Sequence, residues 1–410
     1  MKKPDYDIVI VTMSRWDGIY SSAVLSMAKE LARSHRVFYI DHPFSYKDIA
    51  QGWKSEDVQR RKSVLLGGGD PYHRPTDFPE NFVAVTPKAT LPINWLSPGA
   101  AYESGSRFND RVLNRCLNKL IRDHGIQRYI FLNSFDPFFF RNLKAMPAPL
   151  LRIYQSRDDI TQESYIARHG VQLEKEQILS ADLALATSRA LCKKLTSPEK
   201  EVEYLPNAAN TELFGTAMDQ KLPRPNDLPE GEIIGYTGNI SRLRIDFELL
   251  TAVAESHPHR QLVLIGELRD EAPELQALPN VHFLGPRPLS MLPAYLQYMS
   301  CAIIPFALNT LTESIYPLKL NEYLAAGLPV VATPFSEDIR DFSDVALLHE
   351  SRSEFCSAVS QAIEQDSEAL RQTRNARAAL NSWTKRAARF LEMVDEKLEN
   401  SPSWAASSVR

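Results

Sequence analysis

The stretch Glu313 to Phe335, ESIYPLKLNEYLAAGLPVVATPF, reads as a ligand-facing helix start followed at once by a buried strand. A polar run ends at Pro317, which suits the first helical position, where a missing N–H costs nothing and φ is already set. Gly327 then stops the helix. Pro329, Val330, Val331 and Ala332 form the short apolar run of a strand covered on both faces. An anion before Pro317 would meet backbone N–H groups and the positive end of the helix dipole, with Lys319 and Glu322 one turn further in. That arrangement suits a phosphorylated ligand.

The same grammar extends outward in both directions. Upstream of the stretch, IIGYTG, QLVLIG, VHFLG and CAIIPF are short apolar runs separated by helical patterns, and VALLH follows it. The first half of the chain repeats the alternation with DIVIVT, RVFYID, FVAVT, RYIFLN, PLLRIY, DLALAT and VEYLP. Strands alternating with helices predict an α/β protein with parallel sheets covered on both faces. Between the halves, KLPRPNDLPEGE (221–232) carries Pro223, Pro225 and Pro229 without periodicity and reads as a linker. The expected division is therefore 1–220, a linker 221–231 and 232–381, with a ligand cleft between the halves at the carboxyl ends of the strands. From Ser351 to Lys397 the chain is helical by composition, and 400–410 is expected to fray.

At 410 residues the chain is too long for one compact core and fits two domains. Its 44% hydrophobic and 24% charged residues are ordinary for a soluble globular protein, and a net charge of −4 argues against a nucleic-acid partner. The apolar run near the N-terminus spans Ile8 to Val11, with Asp5 and Asp7 before it, and is no signal peptide. No stretch approaches the ~20 apolar residues that cross a bilayer. Cys116, Cys192, Cys301 and Cys356 are far apart with no metal-type spacing, as buried thiols in a reducing cytoplasm would be. No Asp, Glu or His cluster has convincing metal spacing, and no metal or cofactor is expected.

Several candidates stand at strand ends. The first strand runs into TMSRWDGIYSS with the single glycine Gly18, which argues against a dinucleotide fingerprint; Asp17-Gly18 is either a ligand-facing turn or a plain one. Gly67 to Gly69 lack the lysine and serine of a P-loop and read as a surface loop. In the second half, Gly238 and Asn239 follow a strand, and Arg242 and Arg244 begin the next helix, where arginine suits phosphate contacts. Glu322 is suited to accept hydrogen bonds from a ribose diol, against the alternative of a surface carboxylate. Asp158 and Asp159 follow a strand; one is a candidate helix N-cap and the other a candidate catalytic or acceptor-binding group. Arg107, Arg111, Arg115, Lys119 and Arg122 lay cations along one face of a helix whose other face carries Val112, Leu113, Leu117, Leu120 and Ile121. That stripe is either a solvated face or a contact for anionic lipid, with FDPFFF (135–140) adding aromatic bulk nearby.

With these residues in hand, the chain resembles retaining glycosyltransferases of the GT-B architecture, two Rossmann-like domains facing across a cleft, and among them glycosyltransferase family 4. The likeness covers nearly the whole chain. ADLALATSRALCKKL and EYLPNAANTELF are similar to that family's ending of the first domain, with Ala208 and Asn210 where Gly and Asp are usual. IIGYTGNI and PLKLNEYLAAGLPVVAT resemble its second-domain signatures. SRWDGIYSSAVLSMAKELA and IYQSRDD look like the subgroup of teichuronic-acid and related cell-surface polysaccharide synthesis, and SWTKRAARFLEMV like the C-terminal helix (382–400) that crosses back onto the first domain.

The resemblance implies that Glu322 binds the nucleotide ribose, that the backbone from Ile315 through Tyr316 and Pro317 to Leu318 meets the diphosphate, and that Gly285 to Arg287 lies beside the base. Ser314 stands where the family's motif has its first glutamate, with Glu313 one residue early. The usual Arg and Lys pair of the second domain is absent in its normal spacing, leaving Arg242, Arg244 and Lys319 to neutralise phosphate. The implied activity is cytoplasmic transfer of a sugar from a nucleotide-diphosphate donor to a hydroxyl acceptor, a glycan or lipid-linked saccharide, with retention and with peripheral contact at the inner face of the membrane. Two alternatives stay open: a nucleotide-sugar epimerase, which needs carboxylates and a histidine where the candidates are poor in histidine, and a degenerate GT-B protein that only binds.

Overall fold

The computed structural model describes residues 6–18, 22–162 and 164–400. Its strands carry few polar side chains because both faces of each sheet are covered, so the apolar runs need not alternate. β1 (Asp7–Thr12), β2 (Val37–Ile40), β3 (Tyr72–His73), β4 (Phe82–Val85), β5 (Tyr129–Ser134), β6 (Leu151–Ser156), β7 (Leu183–Ala186) and β8 (Glu203–Tyr204) form one sheet in the order β3-β4-β2-β1-β5-β6-β7-β8. Every pairing in it is parallel except β3 with β4, where Tyr72 opposes Val85. The side chains of β1 and β5 are buried along their whole length.

A second sheet comprises β9 (Ile233–Thr237), β10 (Gln261–Ile265), β11 (Val281–Phe283), β12 (Cys301–Ile304), β13 (Val330–Ala332) and β14 (Leu347–Leu348), in the order β11-β10-β9-β12-β13-β14, all parallel. Counted by first appearance, this is the 3-2-1-4-5-6 order of a Rossmann sheet, and the parallel strands of the first sheet begin with the same 3-2-1-4 reversal. Each sheet therefore has a switch point, between β1 and β5 in the first and between β9 and β12 in the second. The core of the second sheet packs Ile234, Val263, Ile303 and Val331 against Leu320, Leu324 and Val359 from its helices.

The helix Leu318–Ala325 and strand β13 realise the stretch that opened the reading, with one shift. Pro317 is the N-cap, at φ −76° and ψ 66°, and not the first helical residue; Leu318 takes that place. Gly327, at φ +74°, ends the helix as expected: its N–H donates to Leu324 O and the Leu328 N–H to Tyr323 O, both at 3.0 Å. That crossed pair of bonds is a Schellman motif, whose left-handed residue favours glycine. A side chain at 327 would also meet Met218 Sδ at 2.7 Å.

The chain divides into two compact units, one holding the residues up to Thr187, Leu191–Leu205 and the chain from Ala387 onward, the other Ser188–Ala190 and Pro206–Arg386. The expected break at residue 220 is displaced, because the helix Thr211–Asp219 packs Phe214 and Ala217 into the second core. The interval expected to be a linker has no regular structure and is tied to that unit: the Leu222 N–H donates to Gln297 Oε1 at 2.8 Å, and Tyr298 Oη to Leu222 O at 2.6 Å. The helix Trp383–Glu399 returns to the first unit, where Tyr6 Oη donates to Asp395 Oδ1 at 3.1 Å. The expected fraying of 400–410 lies outside the described residues beyond Asn400.

The helix read as starting at Arg107 begins at Ala100, after Gly99 at φ +146°, and continues to Asp123. Arg107, Arg111, Arg115, Lys119 and Arg122 are all exposed on it, while Leu113, Leu117, Leu120 and Ile121 are buried. The aromatic run 135–140 does not add to that surface: Phe138 and Phe140 are buried in the core. No described helix is long and apolar enough to cross a membrane.

Candidate active site

Beside the switch point of the second sheet, two glycines bring the ends of β9 and β10 close together. Gly238 ends β9 at φ +135°, and its N–H donates to Ile265 O at 2.7 Å. Gly266 follows β10, where a Cβ would fall 1.7 Å from Gly238 O, so any side chain there would force the two strand ends apart. A Cβ on Gly238 would lie 2.3 Å from Lys319 Nζ, so the absence of that atom is what lets the lysine lie over the turn. Tyr323 locks the helix to the same strand end, its Oη accepting from the Thr237 N–H at 2.8 Å. Tyr236 Oη donates to Asn239 O at 3.0 Å, while the buried Asn239 Oδ1 has no partner among the described residues.

Lys319 and Glu322 are three residues apart on the Leu318–Ala325 helix and so share a face. Glu322 is 7% exposed and its carboxyl accepts no hydrogen bond from a described residue. Burial pushes its pKa up to about 7, with Lys319 opposing the rise. Burial lowers the Lys319 pKa, Glu322 opposing and Arg244 adding to the effect. The half-buried Arg244 guanidinium makes no ion pair or hydrogen bond among the described residues. Two cations and a carboxyl thus stand with bonding capacity left over, the opposite of a group buried for stability alone.

The backbone at the helix start is more selective than expected. The Ile315 N–H donates to Thr312 O and the Leu318 N–H to Tyr316 O, at 3.0 and 2.8 Å, so neither is open to a phosphate. The Tyr316 and Lys319 N–H groups donate to no described group, and no side chain caps the helix. Ser314 is buried and its Oγ donates to Leu311 O at 2.7 Å, closing it onto its own turn, while Glu313 is exposed.

Two expected phosphate or base contacts are committed elsewhere. Arg242 pairs with Glu274, donates to Glu271 O at 3.1 Å, and has its N–H on Asp270 Oδ2 at 2.7 Å; it does not stand ready for a pyrophosphate. Arg287 reaches Asp227 Oδ2 at 2.5 Å and Tyr295 Oη at 2.9 Å, beside the turn at Gly285, φ +71°. Both arginines found carboxylates distant in sequence, which spacing alone does not reveal.

At the strand ends of the first unit the charges are largely paired. Buried Arg61 spans Asp17 Oδ1 at 2.6 Å and Asp41 Oδ2 at 2.9 Å. Asp17-Gly18 is thereby a fixed turn, and the Gly18 N–H donates to Arg15 O at 3.2 Å and not to a ligand. Asp159 is buried and bound by Lys194 Nζ at 2.7 Å as well as by Thr161 and Gln162, so it is the structural member of its pair. Asp158 is exposed at the end of β6. Sequence reasoning missed Gly266, a lone glycine after a strand, and His42, which follows Asp41 at the end of β2. Among the described residues no cluster of three or more His, Cys, Asp or Glu side chains could hold a metal ion.

Two α/β units of Rossmann strand order with a C-terminal helix returning to the first define the GT-B fold. Residues 231–365, which carry the site just described, match the family model described as glycosyl transferases group 1. The chain is 31% identical over 147 residues to TuaH of Bacillus subtilis (strain 168), assigned as a teichuronic acid biosynthesis glycosyltransferase; the match spans 34% of this chain and 36% of TuaH. Among solved structures it is similar to sucrose-phosphate synthase from Thermosynechococcus elongatus (13% identity, 96% of this chain, 100% of that chain, TM-score 0.63). It is also similar to α,α-trehalose 6-phosphate synthase from Burkholderia multivorans (12%, 98% and 100%, TM-score 0.65). A third is the trehalose-6-phosphate enzyme of E. coli bound with UDP-2-fluoro glucose (12%, 97% and 100%, TM-score 0.62). At these identities the likeness is one of fold.

Proposed function

We propose that this protein is a glycosyltransferase that moves a sugar from a nucleoside-diphosphate donor to a hydroxyl acceptor. The observation that carries the reading is the Lys319–Glu322 helix face, laid over Gly238 at the switch point of a group 1 domain, with polar capacity left unmatched. In this reading Glu322 accepts the two ribose hydroxyls, and ligand binding draws its carboxyl toward the ionised form. Lys319, Arg244 and the N–H groups of Tyr316 and Lys319 meet the diphosphate. As the bond from the anomeric carbon to the phosphate oxygen breaks, its electron pair stays with the nucleoside diphosphate, and these fixed positive groups stabilise the developing charge. The reading requires no metal, since the chain supplies the cations. Asp158 is a candidate for orienting the acceptor.

The acceptor is proposed to be a growing surface polysaccharide or a lipid-linked saccharide, and the transfer to retain configuration, by the resemblance and by the partial match to TuaH. Exposed Arg107, Arg111, Arg115 and Arg122 support peripheral contact with anionic lipid on the cytoplasmic face. Beside them Met146, 80% exposed, has its N–H on Asn118 Oδ1 at 3.0 Å. A thermal-shift screen of UDP-, GDP- and ADP-sugars tests the donor half, because a ligand that binds the native state raises the melting temperature. The reading predicts a rise with one base class; no rise with any of them contradicts it.

A further inference from the structure

The first sheet has its own switch point, between β1 and β5, and open parallel sheets bind ligands outside the carboxyl ends of their strands at such points. Arg15 leaves β1 there, His42 leaves β2 and Asp136 leaves β5. Arg15 Nε donates to the His42 carbonyl at 3.2 Å, and the guanidinium lies 3.6 Å from the centroid of the Phe44 ring. These two contacts orient the guanidinium, while its Nη atoms donate to no described group. Burial lowers the Arg15 pKa, Asp41 opposing and Arg61 adding to the effect.

The cation is not left over for want of carboxylates. Asp41 is taken by Arg61 and by the Trp16 N–H at 3.0 Å, and Asp48 accepts from the Ser45 N–H and Oγ, both at 2.8 Å. Asp17 is closed by Arg60 and Arg61. A half-buried arginine beside carboxylates committed elsewhere keeps its paired Nη donors for an oxyanion.

His42 adds a further donor. Its Nδ1 lies 3.1 Å from Asp136 Oδ2, and Asp136, 2% exposed, is fixed by Asn133, whose Oδ1 accepts the Asp136 N–H at 3.0 Å. A carboxylate at Nδ1 favours the imidazolium, and His42 Nε2 has no partner among the described residues. Other histidines differ. His257 places both nitrogens on Val253 O and Ser360 Oγ, and His169 gives Nε2 to Leu96 O while stacking on Tyr102. A planar carboxylate would be satisfied by the Arg15 fork alone; a guanidinium together with an imidazolium suits the three oxygens of a phosphoryl group.

We propose that Arg15 and His42 form a phosphoryl-binding site of the first unit that holds the phosphate of a phosphorylated acceptor; the assignment to an acceptor rests on the transferase reading. Arg15 meets two phosphate oxygens through its Nη atoms, His42 Nε2–H meets a third, and Asp136 is the positioning residue that keeps the imidazole charged. Every residue of the site belongs to the first unit. The phosphate comes from a sugar phosphate or from a phosphate-bearing lipid carrier, and both present the same group to the site.

Calorimetry on the intact protein tests this, with the nucleotide site first filled by whichever of UDP, GDP and ADP binds best, so that added phosphate reports on the first unit. Glucose 6-phosphate and geranyl diphosphate are titrated as the two sources, and glucose as the uncharged control. One or both phosphates should bind and glucose should not; the tighter of the two identifies the source. Arg15→Gln is expected to weaken that binding on the order of 30-fold and His42→Gln on the order of tenfold, with nucleoside diphosphate affinity within about twofold of the parent and an unchanged melting temperature. Binding of neither phosphate, or binding that both variants leave within about twofold of the parent, overturns the site while the donor reading stands. If no nucleoside diphosphate binds, the transferase reading and the acceptor assignment fall together, whereas phosphate binding lost in Arg15→Gln then still supports the site itself.

Discussion

The strand ends of the two units carry similar side chains and treat them in opposite ways. In the first unit Arg61 is closed between Asp17 and Asp41, and Asp159 is held by Lys194. In the second, Lys319 and Arg244 form no ion pair with a described residue, and Glu322 is buried without a hydrogen bond from one. A closed network stabilises by being complete, whereas a buried carboxyl and cations without partners cost free energy until a ligand completes them. On the proposed reading, the contrast separates groups that hold the fold from groups that meet a substrate, although residue type and position alone make them look alike.

The largest effect expected from this contrast is in the first unit. Arg61→Ala leaves the buried Asp41 without its cation, while Asp17 keeps Arg60, and should destabilise by about 3–5 kcal/mol, read as a lower denaturant midpoint. If the midpoint barely moves, the network is not structural. Lys319→Ala, by contrast, should weaken nucleoside diphosphate binding at least tenfold by calorimetry, for a loss of about 1.5–3 kcal/mol, while leaving the affinity for the nucleoside unchanged. An equal loss for the nucleoside would place Lys319 away from the phosphates.

The pH dependence sharpens the comparison. Glu322 has a folded pKa of about 7 against an ordinary 4.5, so in that window the folded chain binds more protons than the unfolded one. Its contribution is full below about pH 4.5 and is lost as pH rises through about 7, so ligand-free stability should fall across this window. Buried Asp41, raised to about 6, and Glu174, raised to about 7, act in the same direction from the first unit. Glu322→Gln should therefore flatten part of the slope in melting temperature and not all of it; an unchanged slope would mean that Glu322 is ionised in the folded state. The smallest effect belongs to Arg242→Ala, which removes an exposed pair with Glu274 and should alter nucleotide affinity by less than about twofold. A tenfold loss would return Arg242 to the site.

Much of this was legible in the sequence because it is local. The alternation of apolar runs and helical patterns announced two α/β units, and Gly327 announced the end of its helix by a backbone requirement that a single residue reveals. What stayed hidden depends on partners brought together by the fold. Choosing Arg244 over Arg242 requires knowing where Asp270 and Glu274 come to rest, and the pairing of His42 with Asp136 spans 94 positions. Gly266 looked like an ordinary strand terminator because its reason, the carbonyl of Gly238, belongs to the adjacent strand. The proline-rich 221–232 interval resembled a linker by composition, yet Leu222 and Asp227 bind it to the second unit.

The central claim is that Glu322 is a ribose-binding carboxyl of a nucleotide site. A calorimetric double-mutant cycle tests it most directly: the nucleoside diphosphate that binds best among UDP, GDP and ADP, and its 2′,3′-dideoxy counterpart, each titrated into the parent protein and into Glu322→Ala. The account predicts that removing the hydroxyls or the carboxyl each weakens binding on the order of 100-fold, and that removing both weakens it no further. Additive losses, or an affinity indifferent to Glu322, would contradict it.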